Sequence, residues 1–115
     1  TNLYAVMQHR NHLSVITAYP LTKVTNYYLY DFSTGPEKVL GGISGYAQLI
    51  PGIYGMASGN GNADGSINSL DKSVWSAQAG KAGYLDGDFN LNTQVENNDK
   101  NLLWSPNIGK GSMVP

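Results

Sequence analysis

The sequence repeats itself in its second half, and this repeat constrains the fold more than any other feature. Shifting the chain by 28 positions lays GMASGNGNADGSINSLDK at 55–72 over GYLDGDFNLNTQVENNDK at 83–100. Two glycines, one asparagine and the closing Asp-Lys pair coincide. Each copy crowds Asn, Asp and Gly together, and these residues favour turns over helices and strands. The second half is therefore expected to contain two equivalent loops.

Side chains that carry oxygen occupy alternate positions in both copies. A calcium loop of the EF-hand type supplies ligands from positions 1, 3, 5, 7, 9 and 12, with a backbone carbonyl at 7 and often a water at 9. The first loop places Asn60, Asn62, Asp64, Ser66, Asn68 and Asp71 at these positions. The second loop places Asp88, Asn90, Asn92, Gln94, Glu96 and Asp99 there. The sequence therefore predicts two Ca²⁺ sites.

The two loops depart from this pattern in different ways. Gly65 stands at the sixth position of the first loop, where a sharp turn favours glycine, but Asn60 replaces the usual first aspartate. The second loop has more acids, but Thr93 stands at its sixth position, so we expect strain or another route there. Both loops are expected to bind, with dissociation constants from micromolar to about 10⁻³ M. Ile67 and Val95 occupy the eighth positions, and we expect them to pair when calcium closes the loops.

A helix is predicted to follow the first loop. Asn68 or Ser69 can accept bonds from the first free amides and so cap it. Its inner face is expected to carry Leu70, Val74 and Ala77. The glycine-rich AGKAG then ends it.

A shorter helix is predicted after the second loop. Asn97 or Asn98 would cap it, and it would carry Leu102 and Leu103. The Ser-Pro pair that ends in Pro106 would stop it, because proline disfavours the helical conformation of the preceding residue. Neither loop has room for an incoming helix, since only a short glycine-containing stretch precedes each one.

The first half of the chain is typical of β-structure. Five runs rich in Tyr, Val, Ile and Leu are separated by turn signals: LYAVMQ, HLSVITAY, NYYLYDF, YAQLI and GIYGM. In HLSVITAY, Leu13, Val15 and Thr17 share one face, and we expect both faces to be covered. The predicted fold class is α+β: an antiparallel, sandwich-like β-unit at 1–56, packed as one compact module on the loop–helix unit at 57–115.

Composition excludes several classes of function. Only 13% of the residues are charged and the net charge is -1, which argues against the basic footprint of a nucleic-acid-binding protein. No apolar run approaches the roughly 20 residues that cross a bilayer. Cysteine is absent, so no disulfide holds this small chain together. Another stabilising element is expected to help a domain of this size.

A loop and an outgoing helix, duplicated and closed by Asp at position 12, resemble the dockerin repeat. The chain more closely resembles a dockerin-like C-terminal module of secreted bacterial surface proteins, in which a β-rich segment with HRNHL precedes two such loops. The resemblance covers QHRNHLSVI at 8–16, YDFSTG at 30–35, PGIYGM at 51–56 and both loops. It implies an extracellular or cell-surface setting, calcium as cofactor and no catalytic activity.

Two kinds of function fit this resemblance. The first is a calcium-stabilised structural subunit that self-associates, as a fibre or surface layer does, or packs on neighbouring domains through exposed strand edges. The second is a dockerin-type adaptor for a cohesin-like receptor; a non-catalytic tail of a larger enzyme or adhesin would look the same. The pairs that read such a receptor, Ser69-Leu70 and Asn97-Asn98, differ strongly, which favours structural assembly.

Four further residues admit two interpretations each. His9 and His12 could hold a metal, but no third ligand is identifiable, so a hairpin turn is favoured. Trp75 and Trp104 could stack on sugar rings, but they lie in or beside short helices that need a core. Packing is therefore the favoured role of both tryptophans.

Overall fold

Six short strands pair two by two in the first half of the chain. The computed structural model describes residues 3–114. All three pairs are antiparallel: β1 (Val6–Met7) with β2 (Val15–Ile16), β3 (Thr22–Val24) with β4 (Tyr27–Leu29), and β5 (Tyr46–Ile50) with β6 (Ile53–Met56). Each of the five predicted runs contains one strand. The prediction missed β3, which forms because a two-residue turn at 25–26 folds it back on β4.

The strand pairs do not assemble into a sandwich, so this part of the prediction is wrong for residues 3–114. The strands span only two to five residues, and pairs this short offer little face for a second sheet to cover. Irregular chain fills the gaps instead: the amide of Leu40 donates to Ile16 at 3.0 Å, and the amide of Ala18 donates to Lys38 at 2.9 Å. The fold is a small α+β arrangement, and the predicted boundary at residue 56 stays a prediction.

Two small apolar clusters form the core. One gathers Val15, Val39 and Tyr46, with four half-buried neighbours around them. The other joins Leu13 of the first half to Ile67 of the first loop, with Trp104 packed against it. One face of HLSVITAY is buried, since Leu13, Val15 and Thr17 are at most 3% exposed. The other face, also expected to be covered, is half-buried. The second cluster places the first loop directly on the core.

The first predicted helix is present as α1 (Ser69–Gln78), and Asn68, one of the two predicted caps, is its N-cap. The Asn68 side chain accepts from the Leu70 amide, and the Asp71 side chain accepts from the Asn68 amide, which completes a capping box. Of its predicted inner face, Val74 is half-buried, but Leu70 and Ala77 face solvent. Asp71 is fully buried and Trp75 is half-buried, so the buried face is rotated towards these two residues. The carboxylate of Asp71 must reach the loop amides, and this requirement sets the rotation of the helix.

The second helical segment takes a different form. A π-helical turn runs over Asp99–Trp104 and passes into a 3₁₀ turn at Ser105–Asn107. The π-helical turn ends directly before the Ser105-Pro106 pair, as predicted. Pro106 lies in the first turn of the 3₁₀ segment, where its missing amide has no partner to lose. Asn98 precedes this turn but makes no capping bond, so the expected cap by Asn97 or Asn98 is not formed there. Across residues 3–114, no helix has the length and apolarity needed to cross a membrane.

Candidate metal centre

The carboxylates at the twelfth position are buried and make the same bonds in both loops. Asp71 and Asp99 are both 0% exposed. Asp71 accepts from the amides of the third and ninth loop residues at 3.2 and 2.8 Å. Asp99 accepts from the equivalent amides at 3.0 and 2.8 Å. Each carboxylate thus joins the third residue of its loop to the ninth. Its two oxygens keep further lone pairs that can accept other bonds.

The third and fifth residues also repeat their bonds. The side-chain oxygen of the third residue accepts from the amide of the fifth, and that of the fifth accepts from the amide of the seventh. In the first loop these bonds join Asn62 to Asp64 at 3.3 Å and Asp64 to Ser66 at 3.0 Å. In the second they join Asn90 to Asn92 at 3.2 Å and Asn92 to Gln94 at 3.1 Å. Such side-chain turns curve a chain tightly around a centre.

The backbone follows the same path through both loops. The fourth residues, Ala63 and Leu91, have φ of 59° and 60°, and the sixth residues, Gly65 and Thr93, have φ of 82° and 74°. Thr93 therefore adopts the same left-handed conformation as Gly65. This conformation is strained in a β-branched residue. The carboxylate of Asp88 holds it there by accepting its amide at 2.7 Å.

The first residues of the two loops, Asn60 and Asp88, differ in their hydrogen bonds. Asp88 is fully buried and accepts two loop amides. Asn60 is 5% exposed, and its Oδ1 atom is buried without a hydrogen-bond partner. An unpaired buried oxygen costs about 1–3 kcal/mol, so it needs a structural explanation. A cation inside the loop would supply the missing partner.

The seventh residues present their carbonyls to the loops. Ser66 forms an isolated antiparallel bridge with Gly111, and Gln94 forms one with Ala82. Residues on either side of them make the bridge hydrogen bonds. Because successive carbonyls of an extended chain point in opposite directions, those of Ser66 and Gln94 point away from the bridge.

The ninth residues are engaged in other bonds. The Asn68 oxygen caps α1 at 3.0 Å from the Leu70 amide, and Glu96 accepts from the Asn92 side chain at 3.0 Å. An indirect contact through water would suit both positions. Within residues 3–114 no group of three or more His, Asp or Glu side chains is placed to hold a metal. Each loop instead combines a few acids with amide and carbonyl oxygens, which are the hard ligands of calcium.

Burial raises the pKa of the Asp71 carboxyl. The amides of Asn68 and Asn62 oppose this shift, and the charge of nearby Asp64 adds to it. The protein thus places a carboxylate where its charge is penalised by desolvation and repelled by a neighbour. A bound cation would reverse both effects.

The two repeats hold each other through their tryptophans. The indole of Trp75 donates to the carbonyl of Glu96 at 2.9 Å, and that of Trp104 donates to the carbonyl of Asn68 at 2.9 Å. Each tryptophan therefore fixes the ninth residue of the other loop. Lys100 lies over the Trp75 ring at 4.8 Å, in a cation–π contact. Both rings are half-buried, and Trp104 packs against the Leu13 cluster.

Close approach explains the glycine that precedes each loop. A methyl group added to Gly59 would lie 3.1 Å from the Cα of Trp104, and one added to Gly87 would lie 3.2 Å from the Cα of Trp75. Both contacts are tighter than ordinary packing allows. The repeat keeps these glycines because each helical segment crosses close to the start of the other loop.

The predicted pairing of Ile67 with Val95 is wrong. The amide of Ile67 donates to Lys110 at 2.9 Å, and the amide of Val95 donates to Lys81 at 2.9 Å. Each loop is thus closed by the segment that follows the helix of the other repeat. Gly80 and Gly109, with φ of 85° and 92°, turn those segments back. These two segments have similar sequences, GKAG at 80–83 and GKGS at 109–112. This similarity was the sequence signal that both segments close a loop.

The HRNH segment is a turn, as predicted. The amide of His12 donates to the carbonyl of His9 at 3.3 Å, and the two rings lie edge to face at 5.2 Å. The turn also reaches the second repeat: Arg10 donates to the carbonyl of Leu85 at 2.7 Å and lies 4.0 Å from the centre of the Tyr84 ring. The sequence interpretation missed these contacts, because nothing local indicates where a turn will dock.

No protein-family model matches this chain, and no curated protein and no solved structure is significantly similar to it. The dockerin-like resemblance therefore stays a prediction. The interpretation of the site rests on the parallel geometry of its two loops.

We expect Thr93→Gly to stabilise the protein. The substitution removes a left-handed threonine, which costs about 1–3 kcal/mol, and adds the entropy cost of glycine, about 0.5–1 kcal/mol. The unfolding free energy should rise by about 1 kcal/mol in urea denaturation. Gln94→Gly is the control, since Gln94 is exposed and φ is not positive there. Loss of stability in both variants would contradict the strain argument.

Stability should also fall below neutral pH through His12. Burial lowers the pKa of the His12 imidazole, the bond to the Arg10 carbonyl opposes this, and the charges of His9 and Arg10 add to it. The unfolded chain then binds the proton first, so stability is full above about pH 6.5 and declines as the pH falls. Denaturation between pH 7.5 and 5.5 should show this decline, and His12→Gln should flatten it. An equal flattening by His9→Gln, at an exposed ring, would contradict the assignment to His12.

Proposed function

We propose that this chain is a non-enzymatic module whose second half is stabilised by two Ca²⁺ ions, as a dockerin-like pair of loop–helix repeats. The observation that carries the proposal is the equivalence of Asp71 and Asp99. Both carboxylates are buried, and both accept the same two loop amides. Two loops of different composition share this geometry, which supports one common ligand.

The energetics support a cation as that ligand. An isolated buried carboxylate is costly unless it is paired or coordinates a metal. Asn60 adds a buried oxygen that lacks a partner. A bound calcium ion would neutralise the carboxylates and supply that partner. Because the loops are not preformed in the unfolded chain, the free energy of binding becomes free energy of folding.

Specific residues would hold each ion. In the first loop, side chains of Asn60, Asn62, Asp64 and Asp71 and the carbonyl of Ser66 would face it, with Asn68 acting through water. In the second, the corresponding groups are Asp88, Asn90, Asn92, Asp99 and the carbonyl of Gln94, with Glu96 beyond them. The second loop carries three acids and the first carries two, so the second should bind more tightly. Calcium is favoured over magnesium because six to eight mixed oxygens in a flexible loop suit the larger ion.

The proposed role is structural assembly at a bacterial cell surface. Extracellular calcium is abundant enough to fill sites of even millimolar affinity. Strand β1 pairs with β2 along one of its two edges, and Val6 in β1 is 47% exposed. Tyr27, Tyr28 and Leu29 make β4 exposed throughout. Exposed apolar strands are ready to pair with another chain, so self-association into a fibre or a surface layer is the favoured outcome.

The adaptor function remains the alternative. A dockerin that binds a cohesin-like receptor in two orientations presents two similar helical faces. Here a regular α-helix (Ser69–Gln78) follows one loop, and a π-helical turn (Asp99–Trp104) follows the other. This asymmetry disfavours dual binding. A non-catalytic tail of a larger enzyme or adhesin would have the same two loops.

Calcium binding should disappear when both closing carboxylates are changed. Isothermal titration calorimetry should find two ions per chain, and calcium at 100 times the dissociation constant should add about 2.7 kcal/mol per site to stability. Asp71→Asn with Asp99→Asn should abolish both effects. Asp86→Asn is the control, since Asp86 is exposed and lies outside the ligand positions. An unchanged Tm and unchanged calcium dependence in the double variant would refute the proposal.

Assembly should depend on calcium and on the strand edge. Sedimentation velocity in millimolar calcium should show large species that dissolve after chelation with EGTA. Val6→Lys should shrink them, because an edge lysine opposes strand pairing. Leu102→Lys is the control, at a residue that is 65% exposed on the second helical segment. A monomer with and without calcium would favour the adaptor function instead.

A further inference from the structure

Asn11 of the HRNH turn lies between the first residues of the two loops. Its backbone carbonyl accepts the amides of Gly59 and Asn60 at 3.0 and 2.9 Å. Asn60 is the first proposed ligand of the first loop. The main chain of Asn11 therefore fixes the point where the first loop begins.

The side chain of the same residue holds the second loop. Its Nδ2 group donates to the carbonyl of Asp86 at 3.1 Å and to that of Asp88 at 2.8 Å. Asp88 is the first proposed ligand of the second loop. The Oδ1 atom lies 2.9 Å from Nδ1 of His12. Only an amide nitrogen can face two carbonyl oxygens, so these contacts also fix the orientation of the amide.

The conformation of Asn11 is adapted to this double contact. The residue is 5% exposed and has φ of 51°, a left-handed conformation that asparagine adopts far more readily than most residues. The amide of Leu13 donates to Ala57 at 2.8 Å, and His12 bridges to Ser58, so the turn is anchored just beside the first loop. One buried residue thus contacts both first-ligand segments.

We propose that Asn11 is a positioning residue that couples the two calcium sites, so that filling one loop raises the affinity of the other. The inference rests on the proposed calcium function and goes beyond it. An ion in either loop orders the first residues of that loop, and these residues order Asn11. The conformational entropy of Asn11 is then lost at the first binding event and is not lost again at the second.

A double-mutant cycle tests the coupling. Calcium affinity of the second loop is measured by calorimetry in the unmodified chain and in Asp71→Asn, Asn11→Gly and the double variant. Asn11→Gly keeps the left-handed backbone and its carbonyl but removes the side-chain amide. Disabling the first loop should weaken the second by about 5- to 150-fold in the unmodified background. We expect that factor to shrink at least about fivefold in the Asn11→Gly background, with the tryptophan contacts carrying the remainder.

If Asp71→Asn weakened calcium binding by the second loop equally in the unmodified chain and in the Asn11→Gly variant, the inference would be overturned. His9→Gln, in the same turn but exposed, is the control and should leave the factor unchanged. Calcium binding at two independent sites in the unmodified chain would also overturn the coupling while leaving the proposed function intact. An absence of calcium binding in the unmodified chain would refute both.

A second measurement covers the case in which Asn11→Gly does not fold. In the Asp71→Asn variant only the second loop binds calcium. If Asn11 transmits the ordering, calcium should slow hydrogen exchange of the Gly59 and Asn60 amides, which donate to the Asn11 carbonyl. Exchange of these two amides at an unchanged rate would overturn the inference.

Discussion

The bonds between the buried carboxylates of Asp71 and Asp99 and their own loop amides are the interaction on which the second half depends. They curve each loop around its centre and leave the carboxylate oxygens with lone pairs that can accept other bonds. The carboxylate of Asp71 also sets the rotation of the helix that follows, turning Leu70 to solvent and Trp75 inward. Loop closure and helix packing are therefore consequences of one electrostatic arrangement.

The rest of the molecule is built against these loops. Each repeat also completes the other, because its tryptophan and the segment that follows its helix both bond to the other loop. The first half has only a small core of its own, around Val15, Val39 and Tyr46, and bonds from the end of the chain reinforce it. Lys110 donates to the carbonyls of Ile43 and Tyr46 at 2.7 and 2.8 Å, and burial lowers the pKa of its amine. Ser112 similarly donates to Ser14 at 2.7 Å.

Local chemistry explains which predictions were confirmed. The strand runs, the cap at Asn68 and the repeated loop geometry depend on residues that lie within a few positions of one another. Three of the errors involve distant partners: the sandwich, the inner face of the first helix, and the pairing of Ile67 with Val95. Two others are local: the missed strand β3 and the absent asparagine cap of the second helical segment. Ile67 packs against Leu13 and bonds to Lys110, and neither neighbour can be identified from the letters around Ile67.

The sequence by itself determined where the two loops lie, which residues stand at each proposed ligand position and where the first helix begins. These features follow from side-chain oxygens, glycine and capping groups acting over a few residues. The tertiary structure alone decided which segment closes each loop and gave Asn11 its place between the first residues of both loops. Such contacts depend on how the whole chain packs, because a carbonyl or an amide bonds to whichever partner the packed chain brings within reach.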